Sequence, residues 1–258
     1  MIARYPWLER FLVLAVQLAL IGTFLAIWEY AAGRFVDPTM VSRPSKIWDQ
    51  ASRWLVRGIL EKAAGETLWI VLLGMLGGAG AGVVVGLACA TWRWLDRLVE
   101  PLVTMLFALP KVALIPLFIL WFGVGDTEKT TLTVTVVFFF FFYAARNGLR
   151  SLPQPLDDMM LLIGASWSQR LRLLYLPASV GWLLSGLRMA LPYAFVTVVS
   201  AEVVSARGGL GVLAKNNAAA MNAAGVFAAI ASLTLLGAAT SGLAAWLVGR
   251  SRWTLANR

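Results

Sequence analysis

The sequence predicts an all-α protein that crosses a membrane several times. Of its 258 residues, 60% are hydrophobic and only 14% are charged, whereas a soluble domain carries roughly 25% charged residues. The apolar residues gather into runs close to the length of about 20 residues that a helix needs to span a bilayer. The net charge of +9 comes mostly from basic residues at the edges of these runs, which indicates membrane flanks rather than a nucleic-acid surface.

Six apolar runs are candidate spans. They cover approximately residues 11–32, 68–90, 98–122, 130–145, 180–204 and 223–248. The third contains Pro101, Pro110 and Pro116, which are tolerated in a span where neighbouring helices satisfy the freed backbone groups. The first run starts too late and is too long for a secretory signal, so we expect it to be a retained span.

The basic residues predict the orientation by a narrow margin. Six spans place both termini on one side, and the positive-inside rule favours the cytoplasm for that side. The margin is narrow because the first loop, "RPSKIWDQASRWLVRGIL", is itself basic. Ser42 and Ser45 are possible helix caps there, and Ile47, Trp54 and Leu55 follow at helical spacing. This pattern predicts an amphipathic helix on the outer membrane interface.

The sequence offers no conventional cofactor or metal site. It has no histidine and one cysteine, Cys89, so we expect neither a zinc or haem site nor an intrachain disulfide. No Walker G-x-x-x-x-G-K-[ST] motif occurs, so we expect no nucleotide hydrolysis by this chain. The segment "RGGLG" at 207–211 follows an apolar helix rather than a strand, which predicts a tight external turn and not a phosphate loop.

Four glycines mark one face of the second span. Gly74, Gly78, Gly82 and Gly86 recur at every fourth position, and small residues at this spacing let another helix backbone approach closely in lipid. The partner is either a helix of the same subunit or a second subunit, and the first alternative is favoured.

Two short helices are predicted between the fourth and fifth spans. Pro153 and Pro155 stand before Asp157 and Asp158, a pattern typical of a helix start. That helix is expected to stop at Gly164, because glycine adopts the left-handed C-terminal conformation.

The second short helix has its own start and stop signals. Ser166 and Gln169 have the spacing of a capping box, and Pro177 is expected to end the helix. Trp167, Leu171 and Leu174 fall on one face. An ordered polar pair of this kind indicates a docking surface for a cytoplasmic partner, although an interfacial anchor is the simpler alternative.

These residues resemble the coupling-loop signature of ATP-binding-cassette (ABC) importer permeases, E-A-A-x3-G-x9-I-x-L-P. Gly164, Leu174, Leu176 and Pro177 match in spacing, and Asp158 falls on the acidic position. The two alanines are replaced by methionines. "PLFILWFGVGDTEK" (116–129), "GLRMAL" (186–191) and "VVSAEVVSARGGLGVL" (198–213) resemble the nitrate, sulfonate and taurine branch.

The resemblance implies a type I importer permease in a bacterial inner membrane. It implies one permease domain over residues 1–258, with a core at about 64–250 and a coupling loop at 150–178. The expected partners are a second permease copy or paralogue, cytoplasmic ATPase subunits that hold ATP and Mg²⁺, and an external solute-binding protein. The residues expected to contact the ATPase are Asp158, Gly164, Ala165, Ser166, Trp167, Arg170, Leu171, Leu174, Leu176 and Pro177. Trp167 and Leu171 would enter its groove, and Arg170 and Arg172 would pair with acids on its rim.

Ionisable residues inside spans are candidates for the solute path. At about 1.5 Å per residue, Lys111 would lie about 20 Å and Arg188 about 15 Å from the cytoplasmic end of a straight helix. Two cations near the midplane favour an anionic or polar solute. The candidate path residues are Pro110, Lys111, Arg188, Tyr193 and Glu202; packing is the alternative role for Arg188.

Two other functions fit the sequence less well. An intramembrane enzyme would use a buried Glu or Lys for acid–base work, but the spans hold no paired carboxylates, histidines or metal ligands. A secondary carrier would have no use for a coupling loop. A permease subunit that does not itself catalyse a reaction is therefore the function that the sequence favours.

Overall fold

The computed structural model of the chain describes residues 6–35, 37 and 40–250. In these residues the secondary-structure elements are all helices, which confirms the predicted all-α class. The helices are α1 (Pro6–Ala31), α2 (Pro44–Val56), α3 (Ile59–Thr91), α4 (Arg93–Ala108), α5 (Ile115–Phe122), α6 (Asp126–Arg150), α7 (Gln154–Leu162), α8 (Trp167–Arg170), α9 (Leu176–Ser205), α10 (Leu210–Ala219) and α11 (Ala223–Arg250). A 3₁₀ turn (Lys111–Leu114) precedes α5, and a π-helical turn (Leu171–Tyr175) joins α8 to α9.

The described residues contain five helices long and apolar enough to cross a membrane and one broken span. The five are Phe11–Ala31, Ile59–Thr91, Asp126–Arg150, Trp167–Ser205 and Ala223–Trp246. The sixth consists of two helical segments, Arg93–Ala108 and Lys111–Phe122, which meet at 88°. The predicted number of spans is confirmed if this bent pair is counted as one.

Pro110 explains the break in the third span. The residue before a proline is disfavoured in the α conformation, and Leu109 is extended, with φ −65° and ψ 138°. The Lys111 ammonium then donates to the carbonyls of Leu106, at 3.3 Å, and of Phe107, where a cation complements the carboxyl end of α4. Because the span bends directly before Lys111, the depth of this residue does not follow from the length of a straight helix.

The chain forms two compact units, of which the first comprises Met1–Glu61 and Leu213–Ser232. Its helix α2 confirms the helix predicted in the first loop, but the predicted serine caps are wrong. The Glu29 carboxylate caps α2 instead, accepting the Ser45 N–H at 2.9 Å and the Ser45 hydroxyl at 2.8 Å. Trp54 packs on Ala228 and Ala229, which holds α2 by its apolar face.

The second unit comprises Lys62–Val212 and Leu233–Arg258. Gly74, Gly78, Gly82 and Gly86 of α3, called here the glycine stripe, are buried within this unit. A Cβ built on Gly78 would lie 2.7 Å from the carbonyl oxygen of Val134, and one on Gly82 or Gly86 would lie 2.5 Å from a backbone oxygen of α6. The stripe therefore packs on α6 of the same chain, as the favoured alternative predicted.

We expect Gly82→Ala to destabilise the protein and Gly80→Ala, on the same helix, to leave it unchanged or slightly stabilised. The Gly82 Cβ would meet the Phe138 carbonyl oxygen at 2.5 Å, whereas nothing lies within 4 Å of one at Gly80. Overpacking of this kind costs about 1–3 kcal/mol, while an unhindered Gly→Ala change in a helix gains about 0.5–1 kcal/mol. Thermal unfolding in detergent measures the difference. Equal melting temperatures for the two variants would show that the α3–α6 contact is not close.

Candidate functional site

The first short helix, α7, has the predicted start and stop. It begins after Pro153 and has a second proline and an acidic residue in its first turn. It ends at Leu162, two residues before Gly164, whose φ of +74° lies in the left-handed region. The Gly164 N–H donates to the Leu161 carbonyl at 3.0 Å and the Ala165 N–H to the Met160 carbonyl at 2.9 Å. These two bonds form a Schellman motif, which fixes the direction in which the chain leaves α7.

The second short helix, α8, begins with the predicted capping box. The Ser166 hydroxyl accepts the Gln169 N–H at 3.3 Å, and the Gln169 side chain accepts the Ser166 N–H at 2.7 Å. Both ends of the four-residue segment from Ile163 to Ser166 are therefore held by hydrogen bonds rather than by burial. Ala165 is half-buried, whereas Ser166 is exposed.

The prediction that Pro177 ends this helix is wrong. The helix continues through the π-helical turn into α9, so that a single helical run extends from Trp167 to Ser205. In the wide turn the Leu176 N–H donates to the carbonyl of Leu171, five residues earlier. Pro177 lies in the first turn of α9, where its missing N–H is tolerated because the wide turn has already changed the bonding pattern.

Asp157 joins the two short helices. Its carboxylate accepts hydrogen bonds from the Arg170 guanidinium at 2.6–2.9 Å and from the Tyr175 hydroxyl at 2.7 Å. We call Asp157, Arg170 and Tyr175 the Asp157 cluster. Burial raises the pKa of Asp157, but the hydrogen bonds from Arg170 and Tyr175 outweigh it and lower the pKa below its usual value. The carboxylate is therefore ionised at neutral pH.

This cluster bears on the predicted role of Arg170, whereas Asp158 takes no part in it. Arg170 was expected to pair with a partner protein, but its guanidinium is taken up by Asp157. Asp158, the predicted acidic residue of the loop, is exposed. Sequence reasoning missed Asp157 as a site residue because its partner lies 13 positions away, beyond the spacing within one helix.

The bend between α7 and α8 exposes apolar side chains. Leu162 is 86% exposed, Ile163 74% and Trp167 52%, and we call these three residues the bend surface. Of the predicted contact face, Leu171 and Leu174 are half-buried, while Leu176 is exposed. The run Leu161–Leu162–Ile163 beside Gly164 was the sequence signal that could have identified this surface.

A second polar cluster holds the turn at 206–209 and the first residues of α10, together called the 206–211 turn, which confirms a turn in "RGGLG". Glu202 is fully buried, and its carboxylate accepts the Thr67 hydroxyl and the Gly211 N–H, both at 2.8 Å. Glu66 accepts the Gly209 N–H at 2.8 Å. Glu202 therefore offers no free oxygen to a solute, since one carboxylate oxygen is occupied by Thr67 of α3 and the other by the Gly211 N–H.

Lys129 belongs to the same cluster, although the sequence placed it in a loop. Its side chain is almost fully buried, and its ammonium donates to the Arg207 carbonyl at 2.8 Å and pairs with Asp126 at 3.1 Å. The turn is therefore tied to α6 as well as to α3 and α9.

The remaining path candidates have different surroundings. Arg188 and Tyr193 are exposed along α9, and the Tyr193 ring lies 4.8 Å from the ring of Phe140. No described residue gives Arg188 a hydrogen bond or an ion pair. The Lys111 ammonium, by contrast, caps α4 and lies 4.6 Å and 5.0 Å from the ring centroids of Phe107 and Phe139. Pro110 lies at the bend between α4 and the 3₁₀ turn that precedes α5.

Asp96 is a further buried acid that sequence reasoning missed. Its carboxylate accepts hydrogen bonds from Arg146, at 2.5 Å and 3.1 Å, and from Arg150. These bonds join the start of α4 to the carboxyl end of α6, directly before α7. Among the described residues, no group of three or more His, Cys, Asp or Glu side chains could hold a metal ion.

Comparison with known proteins identifies the family of this chain. Residues 82–253 match the family of binding-protein-dependent transport system inner membrane components. The chain belongs to this family. It is therefore a multi-pass permease of ABC importers, a subunit that is not an enzyme and works with an ATPase partner.

Individual relatives agree with the family. The formylaminopyrimidine transport permease protein ThiX of Halalkalibacterium halodurans is 29% identical over 83% of this chain and 85% of its own length. The taurine transport system permease protein TauC of Escherichia coli is 24% identical over 84% and 82%.

A solved structure shows the same fold. A chain of the methionine ABC transporter MetNI, solved in inward-facing conformations, superposes with a TM-score of 0.62. It shares 20% sequence identity, over 75% of this chain and 94% of the other. The likeness confirms the type I importer permease fold that the sequence predicted.

We expect Asp157→Asn to loosen the joint between α7 and α8, and Asp158→Asn to have no effect. Loss of charge-assisted hydrogen bonds costs about 1.5–3 kcal/mol, so amide exchange at Gly164 and Ala165 should accelerate about tenfold or more. Because the pKa of Asp157 is lowered on folding, this stabilisation is complete above the unfolded pKa and is lost as the pH falls through the folded pKa. Hydrogen exchange followed by mass spectrometry measures it. Equal exchange in both variants would show that Asp157 does not hold the joint.

Proposed function

We propose that this chain, paired with a second permease copy, forms the membrane path of an importer for a small anionic or polar solute. An external binding protein delivers the solute, and two cytoplasmic ATPase subunits bind ATP and Mg²⁺. The observation that carries the proposal is the pair of short helices at Gly164, which presents the bend surface at a fixed angle.

The bend surface has the properties of a docking element. Its three apolar side chains stand at a turn held by the Schellman motif, the capping box and the Asp157 cluster, so little conformational entropy is lost when a partner binds. The helix α7, of nine residues, is too short to span a bilayer. Burying one large apolar side chain contributes roughly 1.5–3 kcal/mol, so three of them can anchor a subunit.

This chain carries no Walker motif and its family works with a partner ATPase, so the proposal places ATP binding and hydrolysis on that partner. The proposed orientation places the bend surface and both termini in the cytoplasm. Arg93, Arg97, Arg146 and Arg150 then lie on the same side as α7 and α8, which follows the positive-inside rule.

The proposed solute class depends on Arg188. This guanidinium is exposed in the middle of α9 and has no described partner, and an ionisable group within a span is a functional candidate by default. TauC is named for taurine, a sulfonate, which supports an anionic group on the solute. Competition among radiolabelled sulfonates, carboxylates and amines in proteoliposomes measures this preference.

The proposed coupling is tested by Gly164→Val, with Gly164→Asn as its control. Valine is strongly disfavoured at φ +74°, whereas asparagine tolerates it. Strain of this kind costs about 1–3 kcal/mol. In proteoliposomes with the ATPase and the binding protein, Gly164→Val should lose the ATPase subunit or lower the solute imported per ATP by about tenfold. Gly164→Asn should stay close to wild type. Normal uptake by Gly164→Val would contradict the proposed role of this loop.

A further inference from the structure

A cavity of about 470 Å³ lies beside the two short helices. The ends of α3, α4 and α6 and the short helices contribute its walls. Its chemically informative lining residues are Trp92, Arg93, Arg150, Asp157, Trp167 and Arg170. The volume lies in the range of about 300–1,000 Å³ that is typical of small-ligand sites.

The cavity has more positive than negative charge. Arg170 is neutralised by Asp157, so this pair attracts no further ion strongly. Arg150 shares the single carboxylate of Asp96 with Arg146, which leaves the three groups with one excess positive charge. The side chain of Arg150 is 45% exposed, so its guanidinium is accessible.

Arg93 adds a second excess charge. It is exposed at the first position of α4, and no described residue gives it a hydrogen bond or an ion pair. The planar guanidinium fork matches the oxygens of a phosphate group in two-point contact. Arg93 and Arg150 line the same cavity, so an anion there would be attracted by both.

The tryptophans show where the cavity lies relative to a membrane. Trp92 and Trp94 flank Arg93, and both are exposed. Tryptophan alternating with arginine at the start of an apolar helix is typical of the headgroup region of a bilayer. Basic pockets between spans at this level bind phosphate headgroups.

We propose that this cavity binds a phosphate-bearing anion, with Arg93 and Arg150 contacting its oxygens and Trp92 and Trp167 flanking it. Two sources share this chemistry, namely the headgroup of an anionic phospholipid and free phosphate. The charges of the site are independent of what the transporter imports, and of its proposed contacts only Trp167 also belongs to the bend surface. Because Asp157 and Arg170 form part of the wall, an occupant would contact the joint between α7 and α8.

The test compares the full-length wild-type chain with Arg93→Gln and Arg97→Gln. Both variants remove one exposed positive charge from the start of α4, but only Arg93 lines the cavity. Binding of spin-labelled phosphatidylglycerol and phosphatidylcholine to the chain in detergent is followed by electron paramagnetic resonance. Titration with millimolar inorganic phosphate, followed by thermal stability, is the second arm. Arg93→Lys, which keeps the charge, is included to detect purely structural damage.

We expect the wild type and Arg97→Gln to prefer phosphatidylglycerol, and Arg93→Gln to lose about tenfold in that affinity, the factor for one charge-assisted contact. Arg93→Lys should retain most of it. Stabilisation of the wild type but not of Arg93→Gln by inorganic phosphate, without lipid preference, would identify the free anion as the source. Equal losses in Arg93→Gln and Arg97→Gln, or no response to either probe, would overturn the proposal. Lipid binding is measured without ATP, so its failure is distinguishable from a failure of transport.

Discussion

The close approach of α3 to α6 is the contact on which the rest of the second unit depends. In lipid, apolar burial does not drive helices together, so backbone approach and interhelical packing must do so. Four glycines of α3 provide that approach. The helix α6 that they position brings Arg146 and Arg150 to Asp96 at one end and Lys129 to the 206–211 turn at the other. The short helix α7 begins four residues after α6 ends, so its starting point is fixed by the same contact.

Three carboxylates hold helices or turns together, whereas several cations have no described partner. Asp157 joins the short helices, Asp96 joins α4 to α6, and Glu202 holds the 206–211 turn. Each of these carboxylates has donors, as a polar group away from water requires. Arg188 and Arg93 lack such partners among the described residues. The proposed solute contact and the proposed anion site both follow from this difference.

Local signals were sufficient to predict much of the fold and of the coupling loop. The spans, the glycine stripe, the Schellman motif at Gly164 and the capping box at Ser166 each depend on residues within a few positions. The joint at Asp157 and the partners of Glu202 do not: Thr67 lies 135 residues from Glu202, and no spacing encodes that contact. The bend at Pro110 and the continuation of the helix through Pro177 were not predicted either. A proline in the sequence indicates an interrupted helix, but it does not indicate whether the chain bends or forms a wider helical turn.

The central claim is that the bend surface seats the ATPase subunit in the cytoplasm, and site-specific cross-linking tests it most directly. Cys89 is the chain's one cysteine and is fully buried, so Cys89→Ala gives a background for single cysteines carrying a photoreactive label. Ile163→Cys is compared with Met221→Cys, which is equally exposed and lies in the loop predicted to be external. In the assembled transporter we predict an adduct with the ATPase from position 163 and none from position 221. An ATPase adduct from position 221, or none from position 163, would contradict the account.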